Sequence, residues 1–220
     1  MENDEKQAMV RDIVLQVVLI LLMVLMFLAM HGIPQRLLAK LRFTNRRGIE
    51  AKRHFVKGAQ LLAQARSPKN RSSSKSLANE ALAEAEKAIA LDPKDAASYL
   101  LKAMVLDLQG FRTSALDSLD AALSPLAAAS LGDGERGDAL LKRAELKIAV
   151  SQRGRVDSAQ SDLTESVKLS PKNAKAWCLL GECYEKNKME EEARKAYKEA
   201  LELEPQLSVA QEALNRFGSS

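Results

Sequence analysis

Residues 174–205 read AKAWCLLGECYEKNKMEEEARKAYKEALELEP, and the spacing inside that stretch decides the fold. Trp177, Leu180, Gly181 and Tyr184 recur at i, i+3, i+4 and i+7, which places them on one face of a helix. Tyr197 and Ala200 repeat the short spacing on a second helix. Pro205 ends it, because proline has no N–H and disfavours helical conformation in the residue ahead of it. Gly181 and Ala193 lack bulk, so two antiparallel helices can approach closely there. Trp177 and Tyr184 read as packing residues of this hairpin.

Counted from Ala174 as position 1, the eight signature residues fall at 4, 7, 8, 11, 20, 24, 27 and 32. The stretch resembles the W-x2-L-G-x2-Y…A-x3-F…P pattern of the tetratricopeptide repeat, with Tyr197 in place of Phe. The resemblance implies a helix–turn–helix unit that holds partners and seldom does chemistry. One such unit cannot bury its own apolar face, so further repeats are expected beside it. Helix ends at Leu91-Asp92-Pro93, Leu169-Ser170-Pro171 and Leu203-Glu204-Pro205 set their register. Pro171 and Pro205 are 34 apart, and Pro93 and Pro171 are 78 apart, two repeats plus ten residues. Seven of the ten fall before Gly137, where Ser130 to Gly134 reads as loop, and three in the turn at Ser151–Gly154.

The expected fold is all-α: a transmembrane helix, then a short tetratricopeptide superhelix of about four hairpins with a C-terminal capping helix. Repeats are expected at 51–95 with an insertion over 66–76, 96–129, 137–173 and 174–207, with the cap at 208–217. The domains then read as an acidic tail at 1–12, an anchor at 13–33, a basic juxtamembrane segment at 34–47 and the repeat domain at 48–220. Ser72, Ser73 and Ser74 follow Arg71 in the insertion and form a candidate phosphate-acceptor run.

The anchor reading rests on Ile13 to Met30, which carries no charge and one strongly polar residue, Gln16. Extended to Ile33, it would reach about 31 Å as a helix, against a hydrocarbon core of about 30 Å. A cleaved signal peptide fits poorly, because the leader is acidic and Ala29-Met30-His31 is no small-x-small site. Residues 1–12 hold four acids against Lys6 and Arg11, −2; residues 31–57 hold eight cations against Glu50, +7. With +4 for the whole chain, residues 58–220 come to −1, so the basic excess is local and is no nucleic-acid signature. Arg36, Lys40, Arg42, Arg46 and Arg47 are the expected topology and lipid-contact residues. Together these features predict a single-pass membrane protein with its C-terminal domain cytosolic, at the endoplasmic reticulum or a mitochondrial or plastid outer membrane.

Little points to catalysis. His31 and His54 have no companion nucleophile, and no glycine-rich phosphate loop or metal-ligand spacing occurs, so neither cofactor nor metal is expected. Cys178 and Cys183, five apart on one helix, point about 140° apart and cannot bridge.

The resemblance assigns the concave face to fixed positions of each first helix. Here those positions hold Phe55; Leu100, Leu101, Met104 and Leu108; Leu141, Lys142 and Glu145; and Lys175, Cys178, Leu179 and Glu182. The groove reads as apolar in its first half and mixed or acidic in its second. An amphipathic or apolar peptide with basic flanks would complement it. Clamping of acidic chaperone tails requires lysine, asparagine and arginine where this chain has Phe55, Ala59, Leu101 and Asp138, and only Lys142 keeps the charge. The expected function is therefore an adaptor that recruits a protein or peptide partner to a membrane, or alternatively a structural or assembly subunit of a membrane complex.

Overall fold

A computed structural model describes residues 2–30, 33–67, 73–150 and 155–218; the side chains of 2–10, 12, 25, 28–30, 33–45, 155 and 218 are outside that description. Among the described residues there are eleven helices: α1 Glu2–Met30, α2 Ile33–Arg66, α3 Ser74–Leu91, α4 Ala96–Leu108, α5 Arg112–Ala122, α6 Pro125–Ala128, α7 Asp133–Ala149, α8 Arg155–Leu169, α9 Ala174–Lys186, α10 Glu190–Leu203 and α11 Ser208–Gly218. The chain divides into two units, Met1–Ile49 and Glu50–Ser220.

Local chemistry fixes the helix ends in the second unit. Asp95 accepts from the Ser98 N–H at 3.2 Å to start α4, and Asn173 accepts from the Ala176 N–H at 3.1 Å to start α9. Pro125 opens α6, where its missing donor costs nothing. The segment Ser130–Gly134, expected as loop, instead begins α7 at Asp133, because the Glu135 carboxylate turns back to accept the Gly132 N–H at 3.0 Å. Gly110, at φ +85°, reverses the chain between α4 and α5; the corresponding turn between α9 and α10 puts Lys188 at φ 60°.

Packing in this unit runs from neighbour to neighbour: α3 on α4, α4 on α5, α5 on α7, and so on to α10 on α11. Leu62, Ala81 and Leu101 share one buried cluster, Ala103, Leu119 and Leu146 the next. Leu141, Leu163 and Leu180 form a third, and Tyr197 with Ala210 and Ala213 a fourth. Alanines at the crossings let helices close up: Ala81, Ala115, Ala144, Ala193 and Ala200 are all fully buried. At Gly181 an added Cβ would lie 2.8 Å from the Tyr197 ring. Trp177 and Tyr184 pack partly buried between the third and fourth clusters.

Two buried carboxylates add polar ties. Asp162 takes Arg143 through both oxygens, at 2.6 and 2.8 Å, and Lys147 at 2.7 Å; Arg143 also reaches Asp120 at 2.8 Å, joining α5, α7 and α8. Glu84 on α3 accepts from His54 Nδ1 at 2.5 Å, Lys57 Nζ at 3.1 Å and Lys87 Nζ at 3.0 Å. The His54 bond, opposed by burial and helped by the two lysines, holds the Glu84 carboxyl down at about 2.

The anchor expectation is corrected. Among the described residues no helix is long and apolar enough to cross a membrane. In α1 the helix starts at Glu2, so Asp4, Glu5, Lys6, Arg11 and Asp12 belong to its first turns. The transmembrane helix at 13–33 and the membrane localisation with a cytosolic C-terminal domain fall together. Arg46 and Arg47 are exposed, whereas the side chains of Arg36, Lys40 and Arg42 lie outside the described residues. Arg71 and Ser72 of the serine run also lie outside them; Ser74 opens α3, its hydroxyl donating to the Ala65 carbonyl at 2.8 Å.

Three substitutions test this packing. Gly181→Ala forces a methyl into the Tyr197 ring and should cost about 1–3 kcal/mol in chemical denaturation. Lys188→Gly relieves a left-handed residue and should stabilise by about 1 kcal/mol in the same experiment. Glu84 is held below its ordinary 4.5, so its contribution is present above about pH 4.5 and lost as pH falls toward 2. Thermal melts over that range should therefore fall less steeply for Glu84→Gln than for the native chain. Parallel curves would remove Glu84 from the account.

Candidate protein-interaction groove

Three first helices of successive hairpins, α4, α7 and α9, are linked across one face by a ladder of alternating charge. Asp107 on α4 meets Lys142 Nζ on α7 at 2.9 Å, and Lys142 reaches Glu145 one turn on at 3.4 Å. Glu145 then takes Lys175 Nζ of α9 at 2.5 Å. Burial pulls the Lys142 ammonium down, but its hydrogen bond to Asp107 and the fields of Asp107 and Glu145 outweigh that, leaving it raised. The ladder spends most of the charge expected to face a partner on holding the helices in register.

The expected groove residues divide into two groups. Phe55, Leu100, Met104 and Leu179 are partly buried and Leu108 is exposed, so they keep accessible surface. Leu101, Leu141 and Cys178 do not: they are 0 %, 8 % and 6 % exposed. Leu101 packs in the α2–α3–α4 cluster beside Gly58, and Leu141 in the α7–α8–α9 cluster. Cys178 lies among Tyr197, Ala210 and Ala213, because α11 covers the last repeat where a further hairpin would stack. Cys183 faces the opposite core with Leu163 and Leu180. Burial, helped by Glu182, pushes the Cys178 thiol up to about 11; burial does the same for Cys183, so both are poor nucleophiles.

Glu182 is half-buried, with no hydrogen bond or ion pair among the described residues, and its carboxyl is raised by burial and by Glu185 against the pull of Lys186. Glu185, by contrast, accepts from the Tyr197 hydroxyl at 2.9 Å and from Arg216 at 2.9 Å.

Between α4 and α7 the groove deepens into a cavity of about 270 Å³. Ala97, Leu100 and Met104 of α4, Leu119 of α5 and Ala139 of α7 line it. Leu131, from the extra segment between the second and third hairpins, also lines it. Glu135, Asp138 and Lys142 supply its polar atoms. None of Leu119, Leu131, Glu135 or Ala139 was identified as a site residue from sequence. The capping carboxylate three residues after Gly132 was the available signal, since it starts α7 early enough to bring Glu135 to the cavity.

The family model for the tetratricopeptide repeat matches residues 174–207. No curated protein matches the chain. Among solved structures, the MamA 41-end form from Desulfovibrio magneticus RS-1 aligns at 18% identity with a TM-score of 0.56, covering 77% of this chain and 92% of that one. A crystal structure of MamA aligns at 22% identity and 0.52, covering 69% and 80%. TTC0263, a thermophilic tetratricopeptide protein of Thermus thermophilus, aligns at 18% and 0.50, covering 73% and 83%. At these identities the likeness is one of fold. The chain carries a tetratricopeptide repeat at 174–207 within an all-α fold like that of the solved tetratricopeptide proteins.

Proposed function

We propose that the protein is a protein-interaction scaffold whose α4–α7–α9 face holds a polypeptide partner. The observation carrying this reading is that Leu100, Met104, Leu108 and Leu179 keep accessible surface on a face whose charges are largely paired with one another. An apolar strip bounded by neutralised charge gains by covering the strip and loses little by desolvating the pairs. The partner that suits it is an amphipathic or apolar segment with basic flanks, because Glu182 is the carboxylate on α9 without an ion-pair partner among the described residues. Acidic chaperone tails do not suit it, since Lys142 and Lys175 are already engaged by Asp107 and Glu145.

A second reading, a structural or assembly subunit docking through another surface, is favoured by Phe111 and Leu126, 59 % and 58 % exposed and outside the groove. A photo-crosslinking amino acid at Met104, Leu179 or Phe111 of the full chain separates the two. Adducts of one defined protein from Met104 and Leu179, absent from Phe111, are the expected outcome. The same adduct from Phe111 alone would sink the groove reading and favour the second.

A further inference from the structure

We infer that the cavity between α4 and α7 is an anchor site for one bulky aliphatic or aromatic side chain of a bound polypeptide, with a lysine or arginine of the same segment paired to Glu135 and Asp138. This rests on the groove reading above and adds the address and the recognition chemistry. Size argues for a single side chain: about 270 Å³ is below the roughly 300–1,000 Å³ of sites that enclose a small molecule. Leu100, Met104 and Leu119 are among the lining residues, so water beside them finds few partners. Room exists because two of the lining residues, Ala97 and Ala139, are small, where larger residues would fill the space.

Charge selects the flank. Lys142, the cation at the cavity, is already bonded to Asp107 and Glu145. The two carboxylates of the lining have no ion-pair partner among the described residues: Glu135 accepts the Gly132 N–H and Asp138 the Asn173 side-chain N–H at 3.3 Å. The uncompensated charge around the apolar opening is therefore negative, and a cationic neighbour of the anchor is favoured over an anionic one. The inserted segment contributes to the site: Leu131 joins the lining, and the helical turn it leads into brings Glu135 to it.

The test is a selection of displayed random linear peptides on the full chain, followed by fluorescence titration of an enriched peptide. The expected consensus is a Leu, Met, Phe or Trp with Lys or Arg next to it or one helical turn away. Ala97→Phe, which fills the cavity, should abolish binding of that peptide. Glu135→Gln with Asp138→Asn keeps the hydrogen-bond acceptors, and so the α7 start, while removing both charges. Binding should weaken about tenfold and lose most of its salt dependence. Enrichment of acidic or wholly polar sequences, binding indifferent to both variants, or no enrichment would each overturn the anchor site. Crosslinking from Met104 to a protein partner would in those cases still uphold the broader groove reading, so the two can fail separately.

Discussion

Everything in residues 50–220 depends on one constraint: no hairpin here has enough apolar surface to close a core alone. Three of the buried clusters therefore borrow a helix from the next hairpin. Leu101 of α4 completes the core of α2 and α3, while Ala103 and Leu106 of the same helix start the following one. Leu146 of α7 joins that second core, and Leu141 of α7 serves the third. A helix asked to bury two stripes has one narrow face left. On α4, α7 and α9 that remaining face is the groove, so its position follows from the stacking.

This sharing also decides what was legible in the sequence. The hairpin at 174–205 could be read because Trp177, Gly181, Tyr184, Ala193 and Tyr197 are fixed by contacts inside it, and periodicity reports such contacts directly. The burial of Leu101, Leu141 and Cys178 was not legible because it is owed to neighbouring helices, and spacing along one helix cannot show how much of its surface a neighbour covers. Cys178 makes the point: its burial depends on Ala210 and Ala213 of α11, more than thirty residues away. The ion pairs were invisible for the same reason. Lys142 reads as a groove cation, yet its partner Asp107 lies on the previous first helix. The reading of 13–33 as a spanning anchor failed differently. Composition gave the apolar run, but helix α1 begins at Glu2 with charged first turns, and no described helix is both long and apolar enough to cross a membrane.

The charge ladder has a consequence for recognition. A chain Asp107–Lys142–Glu145–Lys175 crosses three helices and pairs nearly all the charge on its path. Each pair is partly exposed and modest in energy, on the scale of about 0–1 kcal/mol, so the ladder tunes register more than it adds stability. Pairing instead removes competitors for a partner's charge. What stays open is Glu182 on α9, and Glu135 with Asp138 at the start of α7.

The irregularity between the second and third hairpins then becomes the distinctive part of the array. A strictly periodic stack presents the same shallow trough at every step. Here Ser124 to Gly132 folds back on α4: Ala127 is buried with Ala96 and Ala122, and the Ser130 hydroxyl accepts the Ala96 N–H at 3.0 Å. That contact anchors the segment, the anchored segment brings Leu131 to the cavity lining, and Glu135 follows because its carboxylate caps the turn that Leu131 leads into. The cavity and the carboxylate of Glu135 beside it thus trace to a single departure from the repeat, and on the proposed reading that departure is where the groove would distinguish one partner from another.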